Sequence, residues 1–134
     1  GNYFTGLWET ALAENEMLIE IKIPVDSMNA NSCYLKFPQP ASRYPYVGCA
    51  VAMVSSGGSC SDVRVGLSGV GEFPFRDTGV EDSIRGQNLN EALIASASSK
   101  AAEGRNVLSD AFVSEEYRSA MAKVYTKRAL TQIS

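Results

Sequence analysis

The stretch Tyr34–Met53 (YLKFPQPASRYPYVGCAVAM) decides the fold, because two strand patterns flank a middle that can be neither strand nor helix. Pro38, Pro40 and Pro45 lie close together there, and proline lacks the backbone N–H that helices and inner strands use. We therefore predict two strands joined by a stiff loop. The polar and aromatic side chains of this loop are Gln39, Ser42, Arg43 and Tyr44. Such loops commonly display binding groups, although an ordinary strand connection with a solvated arginine would explain the same residues.

Strand patterns continue on both sides of this loop. The segment Met17–Ile23 has an apolar residue at every odd position and ends before a proline, which predicts a half-buried strand. Cys33–Phe37 alternates in the same way. Val47–Val54 is almost entirely apolar, as in a central strand, and Val63–Leu67 alternates again. Together these patterns predict three or four antiparallel strands within residues 16–69.

The apolar period changes from two to about 3.6 after Pro74, which indicates a change from strands to helices. Two capping-box patterns predict helices that begin near positions 79 and 89, namely Thr78-x-x-Glu81 and Asn88-x-x-Glu91. Gly86 and Gly104 are suited to end these helices. Ser114 caps a third predicted helix, whose acidic first turn and basic last turns complement the helix dipole.

The order of elements predicts an α+β fold, with a three- to four-stranded antiparallel sheet followed by a three-helix layer packed on one face. We expect a single domain over residues 1–134, made of an arm at 1–13, the antiparallel sheet at 16–69 and the helical layer at 78–133. Apolar residues of the arm fall at helical spacing: Phe4, Leu7, Trp8 and Leu12. Either the arm packs on the core of this domain, or its aromatic side chains seal against a neighbouring domain.

Composition excludes several classes of function. The net charge is −3 and the basic residues are scattered, so no electrostatic footprint for nucleic acid is present. Histidine is absent, which removes Ser-His-Asp and Cys-His nucleophiles and imidazole metal sites. No apolar run approaches the ~20 residues that cross a bilayer, and no signal-peptide core precedes the domain. Taken alone, the chain predicts no catalytic residue and no metal ligand, and a binding or docking module fits it best.

The cysteines and glycines add two further expectations. Cys33, Cys49 and Cys60 form no CxxC pair, which predicts buried, reduced thiols and a cytoplasmic protein. The segment Gly66–Gly71 contains the spacing GxxGxG but lacks both the following Lys-Ser/Thr and a βαβ frame. Its glycines therefore predict a close backbone approach or a bulge rather than a phosphate-binding loop.

Several motifs, in one order along the chain, resemble a known family. They are Phe4-Thr5-Gly6-Leu7-Trp8-Glu9-Thr10-Ala11-Leu12; Tyr34-x-Lys36-Phe37 followed by Ala41-Ser42-Arg43-Tyr44 and Val47-Gly48-x-Ala50; and Gly69-Val70-Gly71-x-x-Pro74. The set is similar to the C-terminal domain of the FAD-binding medium subunit of molybdenum hydroxylases, above all the aerobic carbon monoxide dehydrogenases. The resemblance implies a C-terminal fragment of a longer flavoprotein subunit, because the Gly-rich phosphate loops of the family's N-terminal domains are absent here.

The resemblance also implies a function within a larger oxidoreductase. In this family the domain closes over the flavin side of FAD and helps to bind an iron–sulfur small subunit and a molybdopterin large subunit. Electrons pass from the molybdenum site through iron–sulfur clusters to FAD, and the protein positions the cofactor. FAD would be held mainly by the FAD domain of the same subunit, with weak or no binding by this fragment alone. The alternative is a non-catalytic interaction module that retains the fold without a redox complex.

Four residues face the cofactor if the family pattern is carried over by position: Lys36, Gln39, Arg43 and Tyr44. Arg43 would donate to a flavin carbonyl or stabilise a reduced anionic flavin by charge-assisted hydrogen bonds. Tyr44 would stack on the ring or shield it. Strand alternation places Lys36 on the sheet face opposite the apolar one. Many relatives have an acidic residue shortly after the arginine, where this chain has Tyr44-Pro45-Tyr46.

Overall fold

The computed structural model describes residues 3–24 and 29–134, so residues 1 and 2 of the predicted arm and residues 25–28 lie outside the described part. Six strands and three helices lie within that part. The strands are β1 (Phe4–Gly6), β2 (Glu9–Thr10), β3 (Asn31–Pro38), β4 (Pro45–Ser56), β5 (Ser59–Ser68) and β6 (Phe75–Arg76). The helices are α1 (Thr78–Ile84), α2 (Glu91–Ser99) and α3 (Glu115–Ile133).

The main sheet contains four antiparallel strands in the order β3-β4-β5-β6. Strand β4 is an inner strand, in which Cys49 lies opposite Leu35 on one side and Leu67 on the other. Gly57 and Gly58 both have positive φ in the tight turn between β4 and β5, where glycine costs no steric strain. The predicted α+β fold, with an antiparallel sheet followed by three helices, is confirmed.

Only one face of the sheet carries the hydrophobic core. The odd positions of β4 from 47 to 53 are buried, and they share this core with residues of all three helices, including the fully buried Leu130 of α3. The even positions are Gly48, Ala50 and Ala52, which point to the opposite face. We call this opposite face the outer face. Because its centre has no large side chains, the outer face is nearly flat there.

Two helix starts differ from the predicted capping boxes. Asp77 caps α1 in place of Thr78, and Asn90 caps α2 in place of Asn88. The Asp77 carboxylate also accepts a hydrogen bond of 2.8 Å from a buried backbone N–H just after α2, so a tertiary contact selects this cap. Ser114 caps α3 as predicted. Among the described residues, no helix combines the length and the apolar character needed to span a membrane.

The structure differs most from the predictions between residues 3 and 24. The arm forms a hairpin of β1 and β2 rather than a helical stripe, with Trp8 at φ +61° in its turn. The segment Met17–Ile23 is exposed and belongs to neither sheet, so the main sheet begins at Asn31 and not at residue 16. The physical reason is that alternation specifies a strand conformation and an apolar side, whereas the pairing partner must come from elsewhere.

Candidate functional site

The loop between β3 and β4 is closed by its own hydrogen bonds. The N–H of Gln39 donates to the carbonyl of Tyr44 at 2.7 Å, and the N–H of Arg43 donates to the carbonyl of Gln39 at 2.9 Å. The N–H of Ser42 donates to Gln39 Oε1 at 2.5 Å, and its Oγ accepts from the N–H of Tyr44 at 3.2 Å. Arg43 takes the left-handed φ of +62°. Residues 39–44 therefore form an internally bonded turn that exposes Arg43 and Tyr44.

Lys36 holds this turn from the outer face. Its Nζ donates to the carbonyl oxygen of Arg43 at 3.1 Å, seven residues along the chain. Lys36 is exposed and lies on β3 opposite Gly48, where strand alternation places it away from the core. The Lys36 ammonium thus contacts the backbone of Arg43 at the end of the outer face nearest the loop.

The four residues assigned by resemblance do not all have the same surroundings. Lys36 and Arg43 are brought together directly. The Gln39 amide oxygen is engaged inside the loop, so this side chain shapes the turn. Tyr44 is 75% exposed, and its ring is free to cover a neighbouring surface. The structure thus presents Lys36, Arg43 and Tyr44 as accessible groups and Gln39 as their support.

A groove of about 590 Å³ crosses the outer face, and its lining includes no residue of the 39–44 loop. Its floor is a cross-strand row in which Tyr34 lies opposite Ala50, Ala50 opposite Gly66, and Gly66 opposite Arg76. Two of these four residues have almost no side chain, so the middle of the floor lies close to the backbone. Tyr3, Phe4, Phe73 and Phe75 also line the groove. A flat aromatic ring could lie on this floor between aromatic walls.

Gly48 lies beneath the side chains of Tyr34 and Ser68. A Cβ at Gly48 would lie 2.5 Å from both the Tyr34 hydroxyl and the Ser68 hydroxyl, so both side chains cover this glycine. The sequence analysis missed Tyr34, Gly66 and Ser68 as members of a site. The available signal was the run of small residues at alternate positions of β4, which leaves one sheet face without bulk.

A buried arginine fixes the backbone next to the loop. Arg118 of α3 is 3% exposed, and its Nη1 donates to the carbonyls of Tyr46 at 2.9 Å and Gly69 at 2.7 Å. Its Nε donates to the carbonyl of Leu108 at 2.8 Å, and its Nη2 pairs with Asp110 Oδ2 at 2.7 Å. These hydrogen bonds of Arg118, which we call the Arg118 clamp, join the start of β4, the end of β5 and the connection that precedes α3. The sequence analysis did not identify Arg118.

The pKa of the Asp110 carboxyl group is lowered by the same connection. The backbone N–H groups of Phe112 and Val113 donate to its carboxylate and lower its pKa, and the nearby Arg118 acts in the same direction. Asp110 thus remains ionised as the partner of the buried guanidinium. Its low pKa has a structural cause, since the carboxylate belongs to the clamp that holds the connection.

Gly69 explains the glycine spacing that the sequence displays. It has φ +74°, and a Cβ there would overlap the carbonyl oxygen of Pro45. The end of β5 therefore passes against the backbone at the start of β4, immediately after the loop. This is the close backbone approach predicted from the sequence.

The described residues contain no catalytic arrangement of thiols or metal ligands. Burial raises the pKa of all three thiols, Cys33, Cys49 and Cys60, and that of Cys49 reaches about 11. All three thiols therefore stay protonated at neutral pH and are poor nucleophiles. No group of three or more Cys, Asp or Glu residues within the described part could hold a metal ion.

Comparison with protein families identifies the domain. Residues 32–133 match the family described as the CO dehydrogenase flavoprotein C-terminal domain. The carbon monoxide dehydrogenase medium chain of Hydrogenophaga pseudoflava is 29% identical over 128 residues, which cover 96% of this chain and 45% of that protein. The glyceraldehyde dehydrogenase medium chain of Sulfolobus acidocaldarius is 29% identical over 133 residues, covering 99% of this chain and 47% of that protein.

Solved structures give the same result. Carbon monoxide dehydrogenase from Hydrogenophaga pseudoflava, in a form that lacks the Mo-pyranopterin moiety, matches with a TM-score of 0.91 and 29% identity over 98% of this chain and 46% of that chain. Quinoline 2-oxidoreductase from Pseudomonas putida 86 matches with a TM-score of 0.85 and 26% identity over the same shares. The chain spans about half the length of the curated relatives it matches. It belongs to the family of CO dehydrogenase flavoprotein C-terminal domains.

Proposed function

We propose that this chain is the C-terminal part of the FAD-binding subunit of a carbon monoxide dehydrogenase-like, molybdenum-dependent oxidoreductase, and that it closes over the flavin. The observation that carries the proposal is the joint placement of Lys36 and the 39–44 loop at one end of the flat outer face. Family membership supports a flavoprotein subunit. The oxidised substrate belongs to a molybdenum site outside this chain.

The chemistry of the outer face fits an isoalloxazine ring. This ring is flat and aromatic, and its pyrimidine end carries carbonyl oxygens. The small residues Ala50 and Gly66 leave room for a flat group, and the Lys36 ammonium and Arg43 guanidinium are donors for carbonyl oxygens. Tyr44 has an exposed ring that can cover the same end and exclude water.

FAD supplies the electron-transfer chemistry when it is bound, and the residues of this chain orient it. The internal hydrogen bonds of the 39–44 loop fix the backbone of Arg43 before the cofactor arrives, which lowers the ordering cost of binding. Lys36 strengthens this arrangement because it holds the Arg43 carbonyl. The loop therefore acts as a preformed lid and not as a source of reacting groups.

The same proposal assigns partners to this domain. We expect it to contact the FAD domain of its own subunit and to help dock the iron–sulfur and molybdopterin subunits. Exposed aromatic side chains support a surface that is covered in an assembly: Phe112 is 77% exposed and Tyr117 is 47% exposed. Phe112 lies in the connection just before α3, and Tyr117 lies in the first turn of this helix.

Flavin fluorescence tests the proposal by titrating FAD against this 134-residue chain and against the full-length subunit. We expect tight binding by the longer subunit alone, because phosphate contacts outside this chain supply most of the affinity. Arg43→Ala in the subunit should weaken binding about 10- to 100-fold, the value of a hydrogen bond from a charged donor.

Arg64→Ala is the matched control, because Arg64 is also exposed on the outer face but lies near its other end, paired with Asp62 at 3.5 Å. This variant should leave FAD affinity unchanged. Tight binding by the 134-residue chain itself would contradict the proposed division of the cofactor site. If neither protein binds FAD, the domain is an interaction module that retains the fold alone.

A further inference from the structure

The segment Met17–Ile23 combines a strand sequence with an exposed apolar side. Its odd positions are 76–84% exposed: Met17, Ile19, Ile21 and Ile23. Between them, Glu20 and Lys22 form an exposed ion pair of 3.0 Å on the opposite side. Isoleucine is β-branched, and a run with period two favours an extended strand over a helix. The segment thus has one apolar and one charged side, as a half-buried strand requires.

The backbone of this segment is equally unpaired. No residue from 17 to 23 makes a backbone hydrogen bond to another residue in the described part of the chain. An extended segment with free N–H and C=O groups is a template for pairing with another strand. Adding this segment to the open edge of a β-sheet would pair its backbone groups and bury its apolar side chains at the same time.

The comparisons indicate where that sheet lies. The C-terminal domain family matches from residue 32 onward, so Met17–Ile23 lies ahead of the domain. The medium chains of Hydrogenophaga and Sulfolobus nevertheless align over 96% and 99% of this chain, so the segment corresponds to part of proteins that are about twice as long. The nearby Trp8 is 94% exposed at the tip of the β1–β2 hairpin. Both features belong to the region that joins the C-terminal domain to what precedes it.

We propose that Met17–Ile23 adds as a strand to the edge of a β-sheet in the part of the subunit that precedes the C-terminal domain. Ile19, Ile21 and Ile23 become buried on that sheet, Glu20 and Lys22 remain in water, and Trp8 packs beside the new strand. The segment thereby fixes the C-terminal domain relative to the rest of the subunit. This inference rests on the proposed function only in requiring that the chain is part of a longer subunit.

Hydrogen–deuterium exchange tests the strand addition directly. Backbone amides of residues 17–23 are compared between the 134-residue chain and the full-length subunit, both freed of FAD. Exchange in the subunit should be slower by about 100-fold or more, as for amides in a stable sheet. Equal exchange in the two proteins would overturn the proposal. Because FAD is absent, this result is independent of whether Arg43 contacts the flavin.

Two substitutions to the same residue separate the sides of the strand. In the subunit, Ile21→Gln should speed exchange of the segment at least tenfold, whereas Glu20→Gln should leave it unchanged. Equal effects of the two substitutions would overturn the assignment of the buried side. Peptides from β4 report whether the domain remains folded. If the variant subunit fails to fold, the comparison of the two unsubstituted proteins still decides the question.

Light scattering tests the alternative that Met17–Ile23 pairs with a second copy of this chain. The isolated chain should be a monomer at micromolar concentration, with or without Ile21→Gln. If it forms a dimer that Ile21→Gln converts to a monomer, and the subunit does not protect the segment, the strand pairs between copies and the proposal is wrong.

Discussion

Strand β4 and the segment Met17–Ile23 are both predicted strands rich in apolar residues, and their environments are opposite. In β4, Cys49 and Val51 are 0% and 1% exposed, with hydrogen-bonded strands on both sides. In the segment, Ile19 and Ile21 are 84% and 78% exposed and have no strand beside them in the described part of the chain. The difference shows that period-two alternation selects a backbone conformation, while burial depends on partners that the local sequence does not encode.

The region that contains β4 also satisfies its buried polar groups internally. Within the described residues, every buried side-chain nitrogen or oxygen has a hydrogen-bond partner. The Glu81 carboxylate, 1% exposed, accepts from the N–H of Val65 and from the Arg76 guanidinium, both at 2.9 Å. Residues 32–133 therefore supply partners for their own buried polar groups, whereas residues 17–23 expose apolar side chains and make no backbone hydrogen bond to another described residue.

The largest expected effect comes from breaking the polar clamp of the self-contained region. Arg118→Ala removes the donor of three carbonyls and the partner of Asp110. Each of these carbonyl oxygens then loses its donor, and an unsatisfied buried polar group costs about 1–3 kcal/mol. We expect this loss in the free energy of unfolding, measured by urea denaturation of the 134-residue chain.

Arg118→Lys separates charge from shape in the same experiment. Lysine keeps the positive charge but cannot bond the carbonyls of Tyr46 and Gly69 together with Asp110 in a planar fork. The lysine variant should recover only part of the stability. The exposed Arg105, which lies over the Phe75 ring, gives the control Arg105→Ala, for which a small change is expected. Full stability of Arg118→Ala would contradict the role assigned to the clamp.

A matched pair of apolar truncations compares the two regions directly. Leu67 of β5 is 1% exposed, so Leu67→Ala should cost about 2–5 kcal/mol through lost burial and a residual cavity. Ile21→Ala removes a similar volume from a side chain that is 78% exposed, and it should change stability by less than about 0.5 kcal/mol. Both values come from urea denaturation of the isolated chain. A large loss for Ile21→Ala would mean that the segment packs on this domain in solution.

Local sequence was sufficient for much of the fold. The alternation of β3 and β5, the apolar run of β4, the Gly-Gly turn and the Ser114 cap lie within short windows, and the structure contains each of these elements. The β1–β2 hairpin was predicted as a helical stripe because its apolar residues happen to have helical spacing. Asp77 displaced the predicted cap because it also binds a backbone N–H just after α2, a contact invisible in the sequence.

The candidate site also has parts that the sequence predicted and parts that it did not. The prolines and polar residues at 38–45 predicted a stiff display loop, and the structure places Lys36 against it. The groove was missed because its floor is a row across four strands, and sequence alone does not give the register of β6. Arg118 was missed because its partners come from three distant segments. The roles of Lys36, Gln39, Arg43 and Tyr44 toward FAD remain predictions until binding is measured.

The third comparison concerns glycines and sets crowding against backbone atoms beside crowding against a side chain. Gly69→Ala combines a left-handed φ, which costs about 1–2 kcal/mol, with overlap on the Pro45 carbonyl, which adds about 1–3 kcal/mol of overpacking. Gly86→Ala has a similar φ of +77° and nothing within 4 Å, so urea denaturation should show the conformational cost alone. Gly6→Ala in the arm meets the movable Glu9 side chain, which can rotate away, and should cost least. The loss in the free energy of unfolding should therefore decrease in the order Gly69, Gly86, Gly6. Of the three, Gly69 alone lies against backbone that the bonds of Arg118 hold in place. Equal losses at Gly69 and Gly86 would show that this backbone moves to make room.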